Sequence, residues 1–493
     1  MADRRARLAL GALLFITVLA WGIAAGADPD MWWHLRAGAD ILEGSFPRVD
    51  RYSFTAYGQE LVDHEWLSEL LMIALYRVGG LETLNVAFGA AVAGTFLLVH
   101  LRLALVVHRY FAMSVALFAA LGSFFVFGAR PQILTLLFLS LTMWWVDRAR
   151  SGEASGRSFW LFPPLFLVWA NFHGGFVAGV GLLLLYALGD ALDPRAEGSL
   201  SRSDSIRLAS IAGLSSILSL ANPQTYRLWV LPILEVSSDV NRRHILEWMP
   251  PDLASSSYAI FAGFLALAIF SFLLNRRRPA LADGVLLAGT ALAGLLSIRH
   301  VPLFMVLGVP VVGRQLWPAV RRIRIPRLLC AEVPAWQSRS VRVALIGGIL
   351  MLGTLSAVGS FYARLSRIPS SVRGEYPVDA VRFLKSTGLD RARGLNEYKW
   401  GGYLIWNGVP VFIDGRANTL YGERFLERYF RAYAFEVAPD PLAEEFDVDY
   451  VLVRSEHHWA AYFAAHPNWQ RVYRDETASV FLTRRLAPVD RDS

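Results

Sequence analysis

A chain of 493 residues that is 55% hydrophobic and 18% charged, with a mean hydropathy of +0.39, does not have the composition of a water-soluble globule, because soluble proteins carry about 25% charged residues. Its single cysteine, Cys330, excludes an internal disulfide framework and a cysteine-rich metal site. The net charge of +7 points to membrane topology rather than nucleic acid, since the positive residues fall between hydrophobic runs.

A helix needs about 20 apolar residues to cross a bilayer. Runs of about that length recur near 7–26, 82–104, 111–128, 131–147, 159–171, 175–190, 206–221, 257–274, 280–297, 301–317 and 341–362. The pattern predicts a polytopic α-helical membrane protein of about eleven transmembrane helices. Residues 1–26 also have the basic start, apolar stretch and Ala25-Gly26-Ala27 site of a signal peptide. Ten further spans make an uncleaved first helix the simpler reading.

Arginine sets the orientation. With the N-terminus in the cytoplasm, the inner segments hold Arg4, Arg5 and Arg7, then Arg102 and Arg109, then Arg148, Arg150 and Arg157. They continue with Arg195, Arg202 and Arg207, Arg276 to Arg278, and the run from Arg314 to Arg342. The short outer turns hold almost none, one at Arg130, one at Arg299 and none in Asn171–Gly174, and everything after residue 362 then lies outside. Counting His64–Gly79 as a span would reverse this pattern, so it reads as a helix at the outer interface.

Polar groups near membrane depth are costly and default to function or tight pairing. They gather at the outer ends: Asp28, Asp30 and His34; His64 and Glu65; Arg130 and Gln132; Asn171 and His173; Asn222 and Gln224; Glu247; Arg299 and His300. The inner ends show basic residues without a comparable mixture. A polar cavity opening outward is the economical explanation.

Within the first outer loop, 27–81, Asp28 suits a helix cap, Pro29 the first helical position, and Trp32 and Trp33 an aromatic belt. Asp30 and His34 are four apart and share a helix face. A carboxylate desolvated there beside an imidazole suits a general base. His64-Glu65-Trp66-Leu67-Ser68-Glu69 lacks the second histidine of a zincin motif, and Asp63 caps a polar helix start. A divalent ion, if bound, would take ligands from Asp28, Asp30, His64 and Glu65.

Arg130, Arg299 and His300 suit a bound phosphate, which arginine grips with two prongs. The plainer alternative is snorkelling to lipid headgroups. Asn171 and His173 either line the cavity or close helix-end turns. The segment 222–256, with Arg242-Arg243-His244 and Glu247-Trp248-Met249-Pro250-Pro251, is long enough to cover a site.

After the last span the composition turns to short mixed elements, which predicts a soluble α/β domain over 375–493 behind a membrane domain over 1–362. Helices are predicted at Pro377–Leu389 and Leu420–Tyr433. Strands are predicted at Val409–Ile413, Asp449–Arg454, Trp469–Asp475 and Ser479–Thr483. Gly401-Gly402 and Asp414-Gly415-Arg416 stand out, but neither fits a nucleotide-binding loop. Asp414 and Arg416 read best as a turn with a local ion pair.

This arrangement resembles the GT-C superfamily of integral membrane glycosyltransferases. Asp28-Pro29-Asp30…Gly44-Ser45-Phe46-Pro47 is similar to the first-loop D-E-x-x-Y…G-x-x-x-P pattern of its protein O-mannosyltransferase and aminoarabinose transferase members. Here Pro29 displaces the second acid and the tyrosine is absent. In texture the loops D-P-D-x-W-W-H and H-E-W-L-S-E are similar to those of bacterial membrane proteins. The resemblance implies a sugar donor on a polyprenyl phosphate at the outer face of the bacterial inner membrane. It implies an acceptor glycan, lipid or protein, and inverting transfer with Asp30 first, or Asp28, as general base. His34, His64 and Glu65 would orient groups or hold an ion. Two other readings stay open: a non-catalytic envelope-assembly scaffold, and a transporter or flippase, which the absence of matched repeats disfavours.

Overall fold

The computed structural model describes residues 2–23, 27–274, 278–322, 359 and 361–486, with backbone only for residues 2–7 and 418. Cys330 and nearly all of the predicted span 341–362 lie outside these residues, as does most of the Ala25-Gly26-Ala27 site. The chain packs as two compact units. One comprises Met1–Ala25, Asn85–Thr225 and Glu247–Ser366; the other comprises Gly26–Leu84, Tyr226–Leu246 and Arg367–Ser493.

The first unit is helical. Three helices among the described residues are long and apolar enough to cross a membrane: Trp66–Ala104, Ser256–Leu274 and Ile298–Val320. Shorter apolar helices occupy Leu8–Gly22, Arg109–Gly122, Phe176–Leu192 and Leu281–Leu296. Helices also form at Gln132–Arg150, Phe162–Phe172 and Arg202–Leu218, where shorter spans are predicted. Large apolar side chains such as Ile217, Ile269 and Leu273 face outward, the signature of a surface that meets something other than water. Inside, small residues let backbones close up: a Cβ on Gly22 would stand 2.7 Å from the Gly89 Cα.

Trp66–Ala104 is broken at Gly79 and Gly80, and Gly80 has φ +66°, a conformation that calls for glycine. The break separates the segment predicted to lie at the interface from the span that follows it.

The basic ends opposite Arg130 do carry acids. Arg102 donates to Asp147 (2.8 Å), Arg314 bridges Asp147 (3.3 Å) and Asp283 (2.9 Å), and Arg150 reaches Asp283 and Asp190, both at 3.1 Å. Tyr186 donates to Asp283 at 2.8 Å. Three arginines and three aspartates thus neutralise one another where burying any charge alone would be costly. Arg102 also donates to the Val306 carbonyl at 2.9 Å, within a π-helical turn at Phe304–Gly308. A π turn leaves carbonyls off the usual ladder, and Arg102 satisfies this one. The partners are up to 204 residues apart in the chain, so no local spacing announces them.

The second unit contains a four-stranded sheet of β1 (Gly394–Asn396), β2 (Tyr450–Arg454), β3 (Trp469–Arg474) and β4 (Ala478–Thr483), in the order β1-β2-β4-β3. The β1–β2 pair is parallel and the others are antiparallel. Helices Val378–Thr387 and Glu423–Tyr433 form close to their predicted positions. Val409–Ile413 does not join the sheet. Val411 instead makes a single parallel bridge with Ser53 of the first loop, and Thr55 donates to the Phe412 carbonyl at 2.6 Å. The first loop is therefore part of the same body as the C-terminal strands, with Phe412, Tyr429 and Trp459 in a shared aromatic core.

Candidate active site

The first-loop acids sit at the start of the helix Met31–Leu42. Asp28 accepts the Asp30 backbone N–H at 2.9 Å, and Asp30 accepts the Trp33 indole N–H at 3.3 Å. Asp28 therefore fixes the turn before the helix, whose first residue is Met31 rather than Pro29. Gly44, with φ +87°, follows the helix end as expected.

Three aromatic rings hold this turn. Trp32 is buried and packs edge-on against Tyr376 at 5.6 Å and Tyr403 at 5.1 Å. It is a core residue of this unit and not a belt residue. Tyr376 donates to the Ala27 carbonyl at 2.6 Å. Burial and then the Asp28 charge raise the Tyr376 pKa above its ordinary value, so the phenol stays a donor.

One turn along the helix, His34 is gripped from both sides. Its Nδ1 lies 3.0 Å from Glu69 and its Nε2 lies 3.4 Å from Glu65. His64 lies 3.6 Å from Glu65. Burial works against the His64 imidazolium, but the carboxylates of Glu65, Glu235 and Asp63 outweigh it and raise its pKa. Asp63 caps Glu65 through the backbone N–H at 3.1 Å, as predicted. Burial pushes its own pKa up to about 6. Glu69 was not among the candidates from sequence, although it follows Glu65 by four residues on the same helical face.

Among the described residues no three His, Cys, Asp or Glu side chains are grouped to hold a metal ion. Both ring nitrogens of His34 face carboxylates, and one Asp28 oxygen is committed to a backbone N–H.

The basic candidates lie in the other unit. Arg130 pairs with Glu247. The guanidinium of Arg299 stands 5.0 Å over the Trp248 ring, and the His300 ring meets the same indole edge-on at 5.9 Å. Backbone bonds fix this corner: Ser297 donates to the Glu247 carbonyl at 2.9 Å and the Ile298 N–H to Met249 at 2.9 Å. Arg130, Arg299 and His300 thus belong to one cluster around Glu247-Trp248.

Asn171 donates to the carbonyls of Leu167 (2.8 Å) and Ala221 (3.1 Å), tying two helix ends together. His173 Nδ1 accepts from the Gly175 N–H at 2.9 Å and meets the Thr135 hydroxyl at 2.9 Å. Because a backbone N–H can only donate, the ring proton is assigned to Nε2.

No family model matches this chain, and no curated protein matches it. Solved structures do. The Archaeoglobus fulgidus oligosaccharyltransferase AglB, in complex with an inhibitory peptide and a dolichol-phosphate, superposes with TM-score 0.59 at 12% identity, over 99% of this chain and 75% of that one. The same organism's oligosaccharyltransferase, tethered with an acceptor peptide containing the NVT sequon, gives 0.56 at 14% identity over 93% and 70%. ArnT from Cupriavidus metallidurans bound to undecaprenyl phosphate gives 0.52 at 15% identity, over 98% of each chain. These neighbours are GT-C superfamily membrane glycosyltransferases. At such identities the likeness is one of fold.

Proposed function

We propose that this chain, whose fold is that of the GT-C membrane glycosyltransferases, is an enzyme that moves a sugar from a polyprenyl-phosphate donor to an acceptor at the outer face of the membrane. The fold carries the reading, since two neighbours that share it hold dolichol-phosphate and undecaprenyl phosphate. The first-loop carboxylates and the Arg130–Arg299–His300 cluster supply the chemistry.

In this reading the Asp30 carboxylate takes the proton of the acceptor hydroxyl as its oxygen attacks the anomeric carbon. The new C–O bond forms on the face opposite the departing phosphate, so the anomeric configuration inverts. The bond from the anomeric carbon to the phosphate oxygen breaks, and its electron pair leaves with polyprenyl phosphate. Arg299 and Arg130 balance the charge that grows on that oxygen. Asp28 holds the turn that presents Asp30, and His34, clasped by Glu65 and Glu69, anchors the next turn of the same helix.

Arg299→Gln tests the phosphate role. It is expected to lower kcat/KM for a polyprenyl-phosphate-linked sugar by about 10²-fold, the scale of losing one preorganised donor to a developing oxyanion. Transfer kinetics in detergent or proteoliposomes would read the effect, and an unchanged kcat/KM would remove Arg299 from the mechanism.

A further inference from the structure

Two glycine motifs are left unexplained by the chemistry above, and both meet the Asp28–Asp30 turn within the second unit. A Cβ on Gly415 would lie 1.8 Å from Asp30 Oδ1 and 3.0 Å from its Cγ. A Cβ on Gly402 would lie 2.3 Å from the Pro29 carbonyl oxygen. Gly401 faces the other way, its added Cβ 2.3 Å from the Ile413 carbonyl and 2.5 Å from the Asp414 Cβ. None of the three has a positive φ, so their backbone conformations do not call for glycine. Close approach does.

The floor under Asp30 is itself pinned. Asp414 accepts the Arg416 N–H (2.9 Å), Nε (2.8 Å) and Nη2 (2.6 Å), and the Tyr421 hydroxyl (2.5 Å). Arg416 also donates to Asp50 at 2.6 Å. Upstream, Asn396 clamps the Phe412 N–H at 2.8 Å and the Ile413 carbonyl at 2.9 Å. A turn held at so many points does not yield readily to a methyl group, so the Asp30 carboxylate would have to move instead.

We propose that Gly415 and Gly402 are positioning residues for the transfer reaction: Gly415 leaves a bare seat that fixes the rotamer of the Asp30 carboxylate, and Gly402 leaves room for the Pro29 carbonyl just before it. The proposal rests on the reading of Asp30 as general base. It gives the C-terminal residues a part in catalysis without contact with the reacting atoms.

The test is Gly415→Ala in the full-length protein, with Gly402→Ala as second variant and Gly374→Ala as control. An added Cβ at Gly374 meets nothing within 4 Å. Gly415→Ala is expected to lower kcat at least tenfold and to move the acid limb of its pH profile, with KM for the lipid-linked sugar within twofold and an intact thermal melt. Gly374→Ala should keep full activity. In an Asp30→Asn background Gly415→Ala should change the residual rate less than twofold, since no base remains to misplace. Unchanged kcat and pH profile in both glycine variants would overturn the seat. So would loss of the fold in Gly415→Ala, because that contact asks only one side chain to move. Full activity of Asp30→Asn would instead overturn the base assignment itself.

Discussion

Asp30→Asn is expected to lower kcat for sugar transfer by about 10²- to 10⁴-fold, the range spanned by a positioned general base. KM for the lipid-linked sugar and the thermal melt should barely change. The amide keeps the shape of the carboxylate and an oxygen to accept the Trp33 indole N–H, now at 3.3 Å, so the helix start survives. What it lacks is basicity. Asp28→Asn should cost less, since an amide oxygen still accepts the Asp30 backbone N–H that Asp28 holds at 2.9 Å. A reversal of that order would make Asp28 the base. Equal activity of both variants and of the double variant would leave the transfer without a first-loop base.

The second large effect concerns stability. Arg416→Met is expected to destabilise the second unit by about 3–5 kcal/mol, the cost of leaving buried charge unpaired. Arg416 is 4% exposed, Asp414 0% and Asp50 1%, and removing the guanidinium strands two carboxylates at once. Burial raises the Asp414 pKa, but Arg416 outweighs it and holds the carboxyl below its ordinary value. The sign follows: the native state binds fewer protons than the unfolded chain, so the pair's stabilisation is complete above the unfolded carboxyl range. It fades as pH falls through the depressed native value. Thermal melting or limited proteolysis of the detergent-solubilised protein would read the loss. A melt identical to that of the unaltered protein would show the pair to be inert.

What the sequence made legible was whatever is written locally. Strands β2, β3 and β4 start and end within a residue or so of their expected limits because each is a run of β-branched and aromatic residues between turns. Asp63 as a cap, Gly44 after a helix end and the Asp414–Arg416 pair are also short-range features, and each has the expected form. β1 was missed because three residues beginning with glycine carry no periodicity. Val409–Ile413 has strand composition, but its partner is Ser53 in the first loop, which composition cannot name. For the same reason the clasp of Glu69 on His34, 35 residues apart, was invisible. So was the bond from Asp50 to Arg416 across 366 residues. The buried aspartates Asp147, Asp190 and Asp283 were overlooked because arginines at helix ends already had an explanation in topology.

The most direct test is the fate of the anomeric carbon. Purified protein given a synthetic polyprenyl-phosphate-linked sugar and a suitable acceptor should release one free polyprenyl phosphate for each glycosylated acceptor. The coupling constant of the new glycosidic bond should report the configuration opposite to that of the donor. Retention of configuration, or movement of the intact lipid-linked sugar across a liposome without any new bond, would contradict the account.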